Sequence, residues 1–253
     1  MLSAMIPAAA FVLISLQSQN LKRLAERDHL QIDEIRHPLT WQGDGYVVAE
    51  RPASAAQLAA YERIFVKEWS RYPASFIVKS AVHRIVIGVH LSMNDQLRAS
   101  VPAFDGDTMY YDAALGARSA HYQRIVIHHE FFHLVDDRMK VIYHDPEWEK
   151  LNPPGFKYGQ GGAKMRRSGV GELTDTIPGF LTRYGTSAVE EDKAELFAHM
   201  IVDGPYVRQR EGADPILAAK IGLLEKRLAA FDPNMGPKFW KKIPGWSDLR
   251  RTS

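Results

Sequence analysis

At 253 residues the chain is long enough for one sizeable core, and no Gly/Ser/Pro-rich linker divides it, so residues 20–253 are expected to form one domain. With 45% apolar and 25% charged residues and a net charge of +2, it has the composition of an ordinary globular protein and no electrostatic footprint for nucleic acid. The absence of cysteine excludes disulfides and thiolate-bound zinc, which leaves His, Asp and Glu as the strong metal ligands.

Met1 to Leu16 is uncharged and apolar, too short to span a bilayer and the right length for the apolar region of a secretory signal peptide over residues 1–19. That predicts a secreted or periplasmic protein; a helix docked on the core of a cytoplasmic one is the other reading. Residues 20–50 show no clear periodicity. Ser54 and Gln57 make a capping-box pattern, and Leu58, Tyr61, Phe65 and Trp69 follow at helical spacing, so a helix is predicted over 54–71, ending before Tyr72-Pro73. Arg84 to Val89 is short and β-branched and reads as a strand. Thr108 to Tyr111, after the Asp105-Gly106-Asp107 turn signal, reads as a second strand, placed to border the site and to pair with an extended substrate backbone.

The next predicted helix, 119–138, carries the stretch around which the chain is organised: His129-Glu130-Phe131-Phe132-His133. On a helix the two histidines lie one turn apart and can reach a single ion, while Glu130 flanks it without binding. Zinc hydrolases need that division: two neutral nitrogens, an open coordination position, and a carboxylate that takes a proton from water. Ile127, Phe131 and Leu134 form a core stripe, and His129, His133 and Asp136 another. Asp136 and Asp137 oppose the helix dipole and should have partners, either at the site or as surface pairs with Arg or Lys. His128 points away from the metal face and reads as structural.

Residues 139–186 are Gly- and Pro-rich, and the echo of Pro154-Gly155-Phe156 in Pro178-Gly179-Phe180 reads as two similar turns rather than a repeat. The basic residues at 164–167 and 249–251 read as solvated surface. Ser187 and Glu190 make a second capping-box pattern, predicting a helix over 188–202 in which Glu190 serves the cap. Glu191, Glu195 and His199 share one face of it, with Ala194 and Ala198 beside them to permit close helix packing; His199 reads as a helix histidine rather than a fourth ligand. Asp214-Pro215 opens a last long helix explained by packing.

The stretch His129 to Asp137 is similar to the active helix of the anthrax lethal factor catalytic domain, H-E-F-x-H-x-V-D-D, and Tyr184-Gly185 followed by Glu191-Asp192-Lys193-Ala194-Glu195-Leu196-Phe197 resembles that family's Y-G…E-x-x-A-E-x-F block. Bacterial proteins provisionally described as zinc-binding metallopeptidases share this layout. The match covers 125–203; residues 20–120 follow only the general zincin order. The resemblance implies a gluzincin-like α+β fold with a small mixed sheet, an HExxH helix and a helical C-terminal half, its site core within 119–203. It further implies one Zn²⁺ on His129, His133 and Glu191, Glu130 as general base, and Tyr184 as donor to the developing oxyanion, with Tyr158 as the competitor for that role. Glu195 and Asp136 would support the ligands from outside.

The expected function is therefore a zinc metallopeptidase acting on a peptide or protein, with no nucleic-acid partner and no stable membrane span. The alternative is a zincin-derived, toxin-like or binding module with weak or no peptidase activity. Substrate preference and oligomeric state are not encoded in any of these patterns.

Overall fold

Two clusters of apolar side chains, one on each face of a mixed sheet, set the architecture in a computed structural model that describes residues 18–43, 46–165 and 169–246. In chain order the first elements are α1 (Gln19–Asp28), β1 (Gln31–Glu34), β2 (Leu39–Gly43), β3 (Tyr46–Arg51), α2 (Ala55–Trp69) and α3 (Ala74–Ser80). The sheet is then completed by β4 (Arg84–Met93), β5 (Gln96–Leu97), β6 (Ser100–Ala103) and β7 (Thr108–Asp112). The rest is helical: α4 (Ala120–Arg138), α5 (Pro146–Glu149), α6 (Val189–Val202), α7 (Gly204–Ala213), α8 (Pro215–Phe231) and α9 (Pro237–Trp240). The expected α+β class, with a mixed sheet and a helical C-terminal half, is what the chain forms. No helix among the described residues is long and apolar enough to cross a membrane.

β4 is the hub of the sheet. Its first half pairs in parallel with β1 and β7, its second half antiparallel with β3 and β5, and the main path runs β2-β3-β4-β7-β6. Alternation along the strands sends Ile85, Ile87, Met109 and Tyr111 into the main core under the helices, and Val86 and Tyr110 into a smaller cluster on the other face. The strand expected to meet substrate, β7, is flanked by β4 and β6 and wholly buried, so neither of its edges is free. That expectation is corrected: the outer position beside it belongs to β6, which pairs with β7 alone on the path.

α2 opens with the predicted capping box, Ser54 and Gln57 bonding reciprocally. Its buried face, Tyr61, Phe65 and Trp69, meets Tyr111 and Phe131, with the Trp69 and Phe131 rings 4.7 Å apart. Residues 20–50, unplaced by sequence, contain α1 and β1 to β3. Ser18 caps α1 and Gln19 opens it, so a leader ending at 19 would remove the cap; residues 1–17 of that call lie outside the described residues. The two Pro-Gly turns are real: Gly155 and Gly179 sit at φ 78° and 80°, the Phe156 and Phe180 amides close them, and those two rings pack 4.8 Å apart. Arg166 and Arg167, and residues 249–251, lie outside the described residues.

Burial of a carboxylate ties α2 to α4. Glu68, 1% exposed, accepts from Arg71 Nε (2.6 Å), Arg124 Nε (2.9 Å) and His128 Nε2 (3.1 Å), while Tyr72 Oη donates to His128 Nδ1 at 2.6 Å. His128 is structural, as expected. Burial would raise Glu68, but its bonds to His128 and Arg71 outweigh this and lower it from 4.5 to about 2. A depressed carboxyl contributes stability above its unfolded value and loses it as pH falls through its folded one. The fold should therefore lose on the order of 3 kcal/mol between about pH 4.5 and 2 from this group. Acid titration of the unfolding free energy should show a shallower slope over that window in Glu68→Gln; an unchanged slope would remove Glu68 from the acid limb.

Candidate metal centre

α4 starts where the Ser119 hydroxyl accepts from the Tyr122 amide, and runs under the sheet with both of its predicted stripes buried. α6 lies along it, with Ala194 and Ala198 fully buried and the Phe132 and Phe197 rings stacked 4.7 Å apart. That packing brings Glu191 on α6 to the two histidines of α4.

Glu191 Oε2 lies 3.0 Å from His129 Nε2 and 3.6 Å from His133 Nε2. The ligand atoms of His129, His133 and Glu191 all fall within 4.8 Å of one another, and these three residues are the group able to hold an ion among the described residues. Ligands bound to one tetrahedral zinc at ordinary bond lengths sit about 3.3 Å apart, so this donor set fits the ion. The other nitrogen of His129, Nδ1, donates to Glu195 Oε1 at 2.9 Å, and Glu195 Oε2 accepts from Thr182 Oγ1 at 2.5 Å. An imidazole so held presents Nε2 in one orientation.

The electrostatics follow from these bonds. Burial alone would lower the His129 imidazole, but the Glu191 and Glu195 carboxylates outweigh it and hold it well above its usual range. Burial pushes the two carboxyls the other way, and their histidine partners hold both well below theirs. Glu130 is half-buried beside the group; desolvation raises its carboxyl despite His129 and His133 nearby.

Tyr184, in a short 3-10 turn over Tyr184–Thr186, donates to Glu191 Oε1 at 3.0 Å. Its echo, Tyr158, donates at 2.6 Å to the neighbouring Asp192, which also takes Trp148 Nε1 and Lys220 Nζ. The two loops thus deliver their phenols to adjacent carboxylates of α6, and the one beside the histidines is that of Tyr184. Gly162 closes over this pair: a Cβ there would lie 2.1 Å from Tyr184 Oη and 2.3 Å from Glu191 Oε1.

Two sequence expectations need correction. α6 has Ala188 at its N-cap with no side-chain bond, and the Ser187 hydroxyl is buried without a partner, so there is no capping box and Glu190 does not serve one. Ser187 continues the preceding turn in αR backbone, which turns its hydroxyl away; Glu190, Glu191 and Asp192 in the first turn face the positive helix end instead. Asp136 does have a partner, but it is Lys193 Nζ at 2.7 Å, both residues about 1% exposed, rather than a ligand histidine or a surface cation. Asp137 pairs with Arg138. His199 is a helix histidine bonded to Asp203, with Nε2 3.7 Å from Glu195. Thr182, Gly162 and Asp203 were not singled out from sequence, and no spacing marks them.

The group opens into two recesses that share Arg98, Ser100, Glu130 and Tyr184. One continues past Val101, Pro102, Ile142 and Tyr143, the other past Leu115, Tyr122, Ile125 and Met165. The turn before β6 and its first residue, through Arg98 and Ser100, line both, while Val101 and Pro102 of β6 line the first alone. Another recess, lined by Trp240 and Trp246, contains none of the candidate ligands.

No protein-family model and no curated protein matches the chain. Its fold is similar to a crystal structure from Bacteroides caccae provisionally described as a zinc-binding metallo-peptidase, with TM-score 0.54 and 17% identity over 89% of this chain and 92% of that one. At that identity the likeness establishes a metallopeptidase-like fold and leaves the chemistry to the site.

Proposed function

We propose that the chain is a zinc-dependent metallopeptidase of gluzincin type, related in its site to the lethal factor catalytic domain. The observation that carries this reading is the convergence of His129 Nε2, His133 Nε2 and Glu191 within 4.8 Å, with His129 oriented from behind by Glu195. His129, His133 and Glu191 would hold one Zn²⁺. When bound, the ion supplies a Lewis acid that polarises a carbonyl and lowers the pKa of water.

The chain's own residues do the rest. Glu130 accepts the proton released from the attacking water and returns it to the leaving amine; a carboxyl raised by burial is suited to both transfers. Tyr184 donates to the oxygen developing on the scissile carbonyl, exchanging its bond to Glu191 for that one. The outer edge of β6 offers backbone groups to an extended peptide, which enters between the two recesses. The apolar run of residues 1–16 supports export as part of the same proposal.

Digestion of a mixed peptide library tests the reading. Zinc-loaded protein should cut it, a chelator should stop cleavage, and zinc returned in stoichiometric amount should restore it. Cleavage that survives complete metal removal would overturn the proposal.

A further inference from the structure

Arg98 stands in the turn between β5 and β6, its amide anchored at 2.9 Å to the Leu91 carbonyl. Its side chain lines both recesses of the candidate site, next to Glu130 and Tyr184, and no other Lys or Arg among the described residues lines either of them. One Nη2 bond goes to Gln96 Oε1 at 3.2 Å, while Nε is buried and has no hydrogen-bond partner. Among the described arginines that are buried or half-buried it stands apart: Arg71, Arg84, Arg124, Arg138, Arg208, Arg210 and Arg227 each hold a carboxylate within 4.0 Å, whereas Arg98 has none.

A guanidinium has five donors in a planar fork matched to a carboxylate, and leaving a buried donor unbonded costs stability. The cleft it faces is lined by Glu130, Glu172, Glu190, Glu191 and Glu195, and away from the histidines of the metal centre Arg98 is the fixed positive charge that an anionic ligand would meet there. Resting on the peptidase reading above, we propose that Arg98 receives a carboxylate of the substrate, so that the site selects peptides bearing one within about two residues of the scissile bond. An Asp or Glu side chain and a free C-terminus supply the same chemistry. Receiving it requires the guanidinium to turn from Gln96 so that the buried, unbonded Nε and Nη2 face the two oxygens together.

The test uses zinc-loaded full-length protein and matched synthetic peptides of one core sequence. Asp is exchanged for Asn at successive positions around the bond, and each peptide is made with a free and an amidated C-terminus. Wild type should favour the carboxylate member of one pair by about 10- to 100-fold in kcat/KM, as expected for hydrogen bonds to a charged group. The pair showing the preference tells side chain from C-terminus. Arg98→Gln and Arg98→Ala should bring the carboxylate peptide down to its neutral partner, so that the ratio of kcat/KM within the pair falls to about one. Equal cleavage of all pairs by wild type, or an equal loss on every peptide in both variants, would overturn the proposal. Kd values for the same pairs on Glu130→Gln protein decide it without turnover. A carboxylate preference in binding with no cleavage by wild type sinks the peptidase reading alone; equal Kd values sink the role of Arg98.

Discussion

Glu130→Gln should lower kcat/KM by about 10²- to 10⁴-fold, the range for losing a general base, while the protein still binds one zinc per chain. The two outcomes separate because Glu130 is not among the three residues whose donor atoms converge, and its neighbour His129 is held from behind by Glu195 rather than by Glu130. Stability should hold or rise slightly, since the substitution removes a charge whose burial already pushes its carboxyl upward. The measurements are cleavage of a peptide taken from the library digest, metal content after dialysis, and the unfolding midpoint. Turnover within a few-fold of wild type at full zinc occupancy would take the base role away from Glu130. Loss of zinc together with turnover would make Glu130 part of the metal-holding group instead.

Local patterns in the sequence carried information where one element supplies all the partners. The HEFFH spacing and the capping box at Ser54 and Gln57 are such cases, since each bond or shared face lies within a single helix. Elements defined by distant pairing were harder to read. β1 is a four-residue strand whose partner is β4, some fifty positions later, and nothing in Gln31-Ile32-Asp33-Glu34 announces that pairing. β6 was missed for another reason: its partner β7 follows directly, but a four-residue run containing Pro102 reads as a break rather than a strand. Failure at Ser187 has a different cause: the S-x-x-E spacing is present, but a preceding 3-10 turn dictates the backbone and the hydroxyl cannot reach.

At the site, spacing named residues that share a helix face and was silent about those supplied by loops. Glu191 and Glu195 lie one turn apart, so E-x-x-x-E brought them forward together. Thr182, Gly162 and Arg98 come from irregular chain, and each matters through a contact across the fold: to Glu195, to Tyr184 and Glu191, and to the shared wall of the two recesses. Lys193 shows why Asp136 was misjudged. A lysine on a helix reads as solvated, yet here it is buried and bonded to the Val141 carbonyl at 2.6 Å as well as to Asp136, so it draws that acid into the core behind the site.

The sharpest expected result separates the two acids of α6. Glu191→Ala should leave dialysed protein without stoichiometric zinc, because it removes one of three converging donors and the acceptor shared by His129 and Tyr184. Glu195→Ala should keep zinc at roughly 10- to 100-fold lower affinity, the usual cost of losing a partner that orients a ligand histidine. The difference follows from which nitrogen each acid meets: Glu191 faces Nε2, where the ion would sit, and Glu195 faces Nδ1 on the far side of the same ring. Glu195→Gln should fall between wild type and Glu195→Ala, since its amide oxygen can still accept from Nδ1. Asp192 and Lys193, between the two acids, bind buried partners of their own, so the fold of α6 should survive either change and unfolding midpoints will verify it. Zinc titrations of the folded variants then decide the matter. Full affinity in Glu191→Ala with none in Glu195→Ala would exchange their roles, and full affinity in both would take α6 out of the metal centre.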